Sequence, residues 1–178
     1  METWPSLARA TDLGPAHASF VAGYVSHLWF DEFWQLAVIY PYCVRQADWG
    51  SGQRRFGVYN VLLGYLDRRD KNHLPGSVAG CLQVVQPAGW LPFVPDADLA
   101  AWRDYLVEQL QPGAQTHTAA ILARRAHMTP DDFAIFISDE ERIRREVFSR
   151  IPAEAVEETC AEGQAGSAEI IQQYLGEW

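Results

Sequence analysis

Lysine is almost missing from this chain: Lys71 is the one lysine, against thirteen arginines. We read this as the composition bias of a GC-rich genome rather than as a site. Basic charge as a whole is scarce. Lys and Arg total 14 against 23 acids, a formal net charge of −9. Nucleic acid is thereby excluded as the expected main partner, because gripping phosphates needs a basic face. Cysteine is scarce too: Cys43, Cys81 and Cys160 are odd in number and widely spaced, with no Cys-x-x-Cys. That excludes a disulfide framework and suits reduced thiols in the cytoplasm. The N-terminal stretch METWPSLARATDLGPAH has no basic region leading into an apolar one, so no signal peptide is expected.

Strand alternation and internal repeats are also missing. Glycine motifs for phosphate binding are absent: Asp48-Trp49-Gly50-Ser51-Gly52 follows no strand. There is no Gly-x-Ser-x-Gly elbow, and no cysteine has a nearby histidine partner in sequence, so nucleophilic catalysis has no support. Catalytic residues are left unknown and no organic cofactor site is expected.

What is present is apolar and helical. The chain has 178 residues, 48% of them hydrophobic, with seven Trp. One domain, 1–178, is expected. The acidity is concentrated at the end: residues 131–178 hold 12 acids and 4 Arg, against 11 acids and 10 Lys/Arg before them. A solvated helix surface accounts for it.

Asp12–Pro15 (DLGP) reads as a helix start with Pro15 in the first turn. From there a long central helix is expected over about 15–40, stopped by Pro41, roughly 39 Å long. A loop follows over Val44–Arg55, then helical spacing over Arg55–Arg68 and a short helix within Pro75–Val85. Pro87–Pro95 (PAGWLPFVP) reads as a packed irregular segment. Further helices are expected from Asp96 to Pro112-Gly113, over Ala114–His127, from Thr129-Pro130-Asp131-Asp132, from a capping box at Ser138-Asp139-Glu140-Glu141, and over Pro152–Leu175. Gly163 and Gly166 in the last are costly in a helix, and permit a close contact or a kink. The fold class is all-α, a multi-helix bundle.

Within the first helix, Phe20–Tyr40 is long enough to raise a membrane span, but His27, Asp31, Glu32 and Gln35 interrupt it. No integral membrane segment is expected. His27 and Asp31 are four residues apart, so about 40° apart around a helix, and share one face. An imidazole nitrogen and a carboxylate oxygen can hold a divalent metal such as zinc. They can equally satisfy each other by a hydrogen bond inside a core. Either way the apolar context predicts that this face points inward. The other histidines do not complete a set: His17 points about 80° away from His27, His73 lies in a polar turn, and His117 and His127 are ten residues apart. His127 and Asp131 repeat the spacing across a break at Thr129-Pro130.

The run Phe20–Trp34, with Gly23-Tyr24-x-x-His27-x-x-x-Asp31, resembles the central helix of the zinc-dependent phospholipase C family. Tyr59-Asn60-Val61-Leu62, Tyr65-Leu66-Asp67, Trp90-Leu91-Pro92-Phe93 and Trp102-Arg103-Asp104 look like a bacterial branch of it. The resemblance implies an all-helical bundle around metals, with His27 and Asp31 as zinc ligands. It implies hydrolysis of a phosphodiester or phosphomonoester by a metal-bound hydroxide. The family's N-terminal His, its Gly-x-x-x-Pro-Asp segment, a further His soon after the Asp, and a later His-x-x-x-Glu have no counterparts here. Truncation, loss of the metals, and completion of the site by a second chain all fit. The expected function is therefore a metal-dependent phosphoesterase-like protein with an incomplete site, its substrate unread, or else a non-catalytic helical binding or oligomerisation module. Self-association, as a homodimer, is expected because the first helix is apolar nearly all round: Phe20, Tyr24, Leu28, Trp29, Phe30, Phe33 and Trp34 do not fit one stripe. The alternative cover for that surface is the C-terminal helix.

Overall fold

The computed structural model describes residues 4–46, 49–71, 73–111, 113–114 and 117–176. Pro112, expected at a helix end, and Gln115 and Thr116, expected within the next helix, lie outside the described residues. All regular structure among the described residues is helical. Two short 3₁₀ turns, Pro5–Leu7 and Ala10–Asp12, lead into α1 (Pro15–Trp34). Then come α2 (Gly52–Lys71), α3 (Val78–Gln83), α4 (Asp96–Gln109), α5 (His117–Arg125), α6 (Pro130–Ser138), α7 (Glu140–Ile143) and α8 (Ala153–Leu175).

Pro41 does not stop the first helix. The chain passes from α1 without a break into a π-helical segment, Gln35–Arg45, with Pro41 inside it. Proline breaks an α-helix because its ring meets the carbonyl four residues back and its nitrogen cannot donate. The wider π turn, bonded i to i+5, gives the ring room. The expected loop therefore begins only after Arg45.

Most other boundaries follow their local signals. Pro15 occupies the first turn of α1 behind Gly14. The Thr129 hydroxyl accepts from the Asp132 N–H and caps α6. The cap of α7 is Asp139, whose carboxylate accepts from the Arg142 N–H at 2.9 Å. It is not Ser138: that residue still belongs to α6, and its hydroxyl turns back to donate to the Ala134 carbonyl. The irregular stretch before α4 is packed as expected, with Trp90 and Leu91 buried.

Two buried clusters hold the helices. The larger joins Trp34 and Val38 of the first helix to Leu62 of α2, Phe133 of α6, Ile143 of α7 and Val156 of α8. The smaller gathers Val21 of α1 with Leu7 and Leu91, and brings in Tyr174 from the end of α8. The Tyr174 hydroxyl donates to the Leu7 carbonyl at 3.0 Å and ties the two ends of the chain together.

α1 lies along α8, and glycine makes the contact close. A Cβ on Gly163 would sit 2.2 Å from Phe30 Cε2, and one on Gly166 would sit 2.1 Å from Trp29 Cη2. The two helical glycines are thus hollows for aromatic rings, the close-contact reading of the sequence. α8 covers the Trp29/Phe30 flank, while Leu28, Asp31 and Glu32 on the other flank face solvent. α1 is therefore not enclosed on all sides. No helix among the described residues is long and apolar enough to cross a membrane.

Candidate functional site

The His27–Asp31 pair forms, but it points outward. Nε2 of His27 lies 3.5 Å from Oδ2 of Asp31, with the side chains 69% and 63% exposed. The expectation that this face points into the core is overturned. The physical reason is the direction of α8: it takes the flank holding Trp29 and Phe30, and the opposite flank is left to water. Both side chains stand in water, so the pair costs no burial and needs no metal to justify its presence.

The donors are of a kind that suits zinc, one nitrogen and one oxygen. Two donors fill half of a tetrahedral shell. Among the described residues no group of three His, Cys, Asp or Glu side chains converges on one point. The other histidines are scattered over separate partners. His17 Nε2 sits 2.7 Å from the Trp90 carbonyl, His73 Nδ1 2.7 Å from the Arg69 carbonyl, and His117 Nε2 4.0 Å from Glu108. His127 has φ 57° in the turn after α5, so it shares no helix with Asp131. Among the described residues the donor set does not make up a complete metal site.

Tyr59, on α2, stands close to this region; the sequence marks it only within the Tyr59–Leu62 stretch of the resemblance and not as a site residue. Its hydroxyl accepts from Trp34 Nε1 at 3.1 Å. Burial pushes its pKa up, the Trp34 bond works against that, and the Cys43 and Asp31 charges add a little. Cys43 is buried, and desolvation raises its thiol as well, against the pull of Arg55. Neither group is primed as a base or nucleophile at neutral pH, because both shifts favour the protonated form.

What the outer flank of the first helix does present is apolar. Leu28 and then Leu36, Tyr40 and Val44 are all exposed, Leu36 to 65% and Tyr40 to 52%. Glu32 fills the fourth-residue step between Leu28 and Leu36 and is exposed too. In an α-helix, residues four apart drift 40° at each step. Over the wider π turn a four-residue step falls short of a full turn, so the drift changes sign and exposed Leu36, Tyr40 and Val44 share one broad flank. The row runs on towards α2: Val44 and Arg55 line one cavity beside Trp49, and Arg55 lies over the ring of exposed Phe56 at 4.8 Å. Trp49 anchors that corner by donating to the Tyr42 carbonyl at 3.0 Å. The sequence signal was a Leu-x₃-Glu-x₃-Leu-x₃-Tyr-x₃-Val spacing from residue 28 to 44, hidden because the whole segment is apolar.

A separate cavity of about 240 Å³ opens between the ends of α2 and α4 and the start of α5. Asp67, Asp70, Lys71 and Gln109 line it. Lys71 Nζ is tied to the Ala114 carbonyl at 2.8 Å. The protein mass around Asp67 raises its pKa, with Lys71 pulling the other way.

The accessible surface of the chain is 11161 Å². A compact monomer of 20.1 kDa exposes about 8,700 Å² by the usual mass scaling. The difference, about 2,500 Å², is roughly three times the ~800 Å² that one chain loses in an interface of standard size. No protein-family model matches the chain, and no curated protein or solved structure is detectably similar to it.

Proposed function

We propose that this protein is a non-catalytic helical interaction module that self-associates through the outer flank of its first helix. The observation that carries the reading is the exposed row Leu28, Leu36, Tyr40 and Val44. Neighbouring water-facing apolar residues, here Leu36, Tyr40 and Val44 with Leu28 beyond Glu32, mark an interface when they form a patch. A two-fold homodimer is the commonest closed arrangement of a soluble chain.

The phosphoesterase reading rests on the resemblance of Gly23–Asp31 to the phospholipase C family, and on a His27–Asp31 pair that is open to an added ion. It needs at least one further ligand that the described residues do not bring to the pair. It is checked by metal content of the purified protein before and after a chelator. Stoichiometric zinc that is lost in His27→Ala would revive it.

Sedimentation equilibrium at micromolar concentration tests the self-association. The expected mass is that of two 20.1 kDa chains, falling towards one on dilution. One chain's mass across the whole range would overturn the reading.

A further inference from the structure

The outer flank carries charge as well as apolar surface, and the charge has a pattern. Asp31 and Glu32 lie before Leu36, and Arg45 lies after Val44, with Arg54 and Arg55 close behind it at the start of α2. Glu32 and Arg45 are both exposed. Neither makes an ion pair or side-chain hydrogen bond with any described residue. Asp31, by contrast, is taken up by His27. One acid and one base are thus left free at the two ends of a short apolar row.

The positions are balanced. Leu36 and Tyr40 are centred on Val38, and Glu32 and Arg45 lie almost equally far to either side. Such a surface is self-complementary only one way round. Packed parallel, two copies set Glu32 against Glu32 and Arg45 against Arg45. Packed antiparallel, each Glu32 meets the other copy's Arg45, while Leu36 of each meets Tyr40 of the other. A two-fold interface requires this reciprocity, in which residue i meets j and j meets i. Like charges set face to face penalise the parallel alternative.

We propose that two copies pack antiparallel along the Glu32–Arg45 flank, with the two-fold axis on the outer face midway between Leu36 and Tyr40 and two reciprocal Glu32–Arg45 pairs closing the ends. This rests on the self-association reading and adds to it the partner's orientation and register. Charge pairs at such a rim set orientation more than affinity.

Charge reversal tests the register. Glu32→Arg places like charges at both ends of the dimer, and so does Arg45→Glu. Each single variant is expected to weaken dimerisation about ten-fold in sedimentation at low salt. The double variant Glu32→Arg/Arg45→Glu in the same chain should recover most of the wild-type constant, because every pair is restored with its signs exchanged. The single-variant loss should shrink at high salt. Circular dichroism of all four proteins checks that the helices are intact. If the wild type dimerises and all three variants dimerise equally well, the register is overturned while self-association stands. A double variant weaker than either single overturns it as well. A wild type that stays monomeric removes the self-association reading itself.

Discussion

Alanine in place of Gly163 should destabilise this protein, although alanine is the better helix former. In an exposed helix the exchange gains about 1 kcal/mol, from backbone entropy and propensity. At position 163 the new methyl would stand 2.2 Å from Cε2 and 2.6 Å from Cδ2 of Phe30. Carbon atoms pack at about 3.5–4.0 Å, so a shift of well over an ångström is required. Phe30 cannot supply it cheaply, because its ring packs against the main buried cluster. Overpacking of this kind costs about 1–3 kcal/mol. The net loss is then about 0–2 kcal/mol, with the ring's attachment to the core placing it in the upper half. Gly23 is the internal control. It lies on α1, is exposed, and has nothing within 4 Å of a built Cβ. Gly23→Ala should therefore stabilise by about 0.5–1 kcal/mol. Urea unfolding followed by circular dichroism, at one fixed protein concentration so that self-association cancels, measures both. A Gly163→Ala protein as stabilised as Gly23→Ala would refute the close α1–α8 contact.

Two further outcomes follow from the site residues. Asp31→Ala should cost less than about 0.5 kcal/mol, since it removes one exposed pair and leaves no buried partner unsatisfied; a loss above 1 kcal/mol in the same unfolding assay would place the pair in the core after all. Asp67→Asn should raise the melting temperature at neutral pH. The folded pKa of Asp67 is raised by burial, so the fold favours its protonated form, and the resulting penalty appears once pH climbs above the ordinary carboxylate range. The gain from Asn should fade as pH falls below that range, and a gain that is the same at acid pH would count against the shift.

The sequence carried the helices well and the surfaces badly, for physical reasons. Thr129-Pro130 and Gly14-Pro15 mark helix starts because caps and first-turn prolines act locally, within one turn. Gly163 and Gly166 signalled a close contact because glycine inside a helix is costly unless something fills its place. Pro41 misled because its effect depends on the turn it sits in, and a π turn admits the ring that an α turn rejects. His27 and Asp31 misled for a different reason. α1 is apolar nearly all round, so its pattern does not say which flank a neighbour will take. Only the position of α8, fixed by the glycine hollows, turns Trp29 and Phe30 inward and leaves His27, Asp31 and the Leu36–Tyr40 row outside. The same evenness hid that row, since every stretch from Phe20 to Tyr40 looked like core.

Hydroxyl-radical footprinting at two protein concentrations, one well below and one well above the association midpoint, reads the proposed interface residue by residue. Leu28, Leu36, Tyr40 and Trp102 are all exposed in the single chain, so each should be oxidised in dilute solution. Leu36 and Tyr40 are expected to become protected at high concentration while Trp102, on α4, keeps its reactivity. Protection of Trp102 with Leu36 and Tyr40 unchanged, or no protection anywhere, would contradict it.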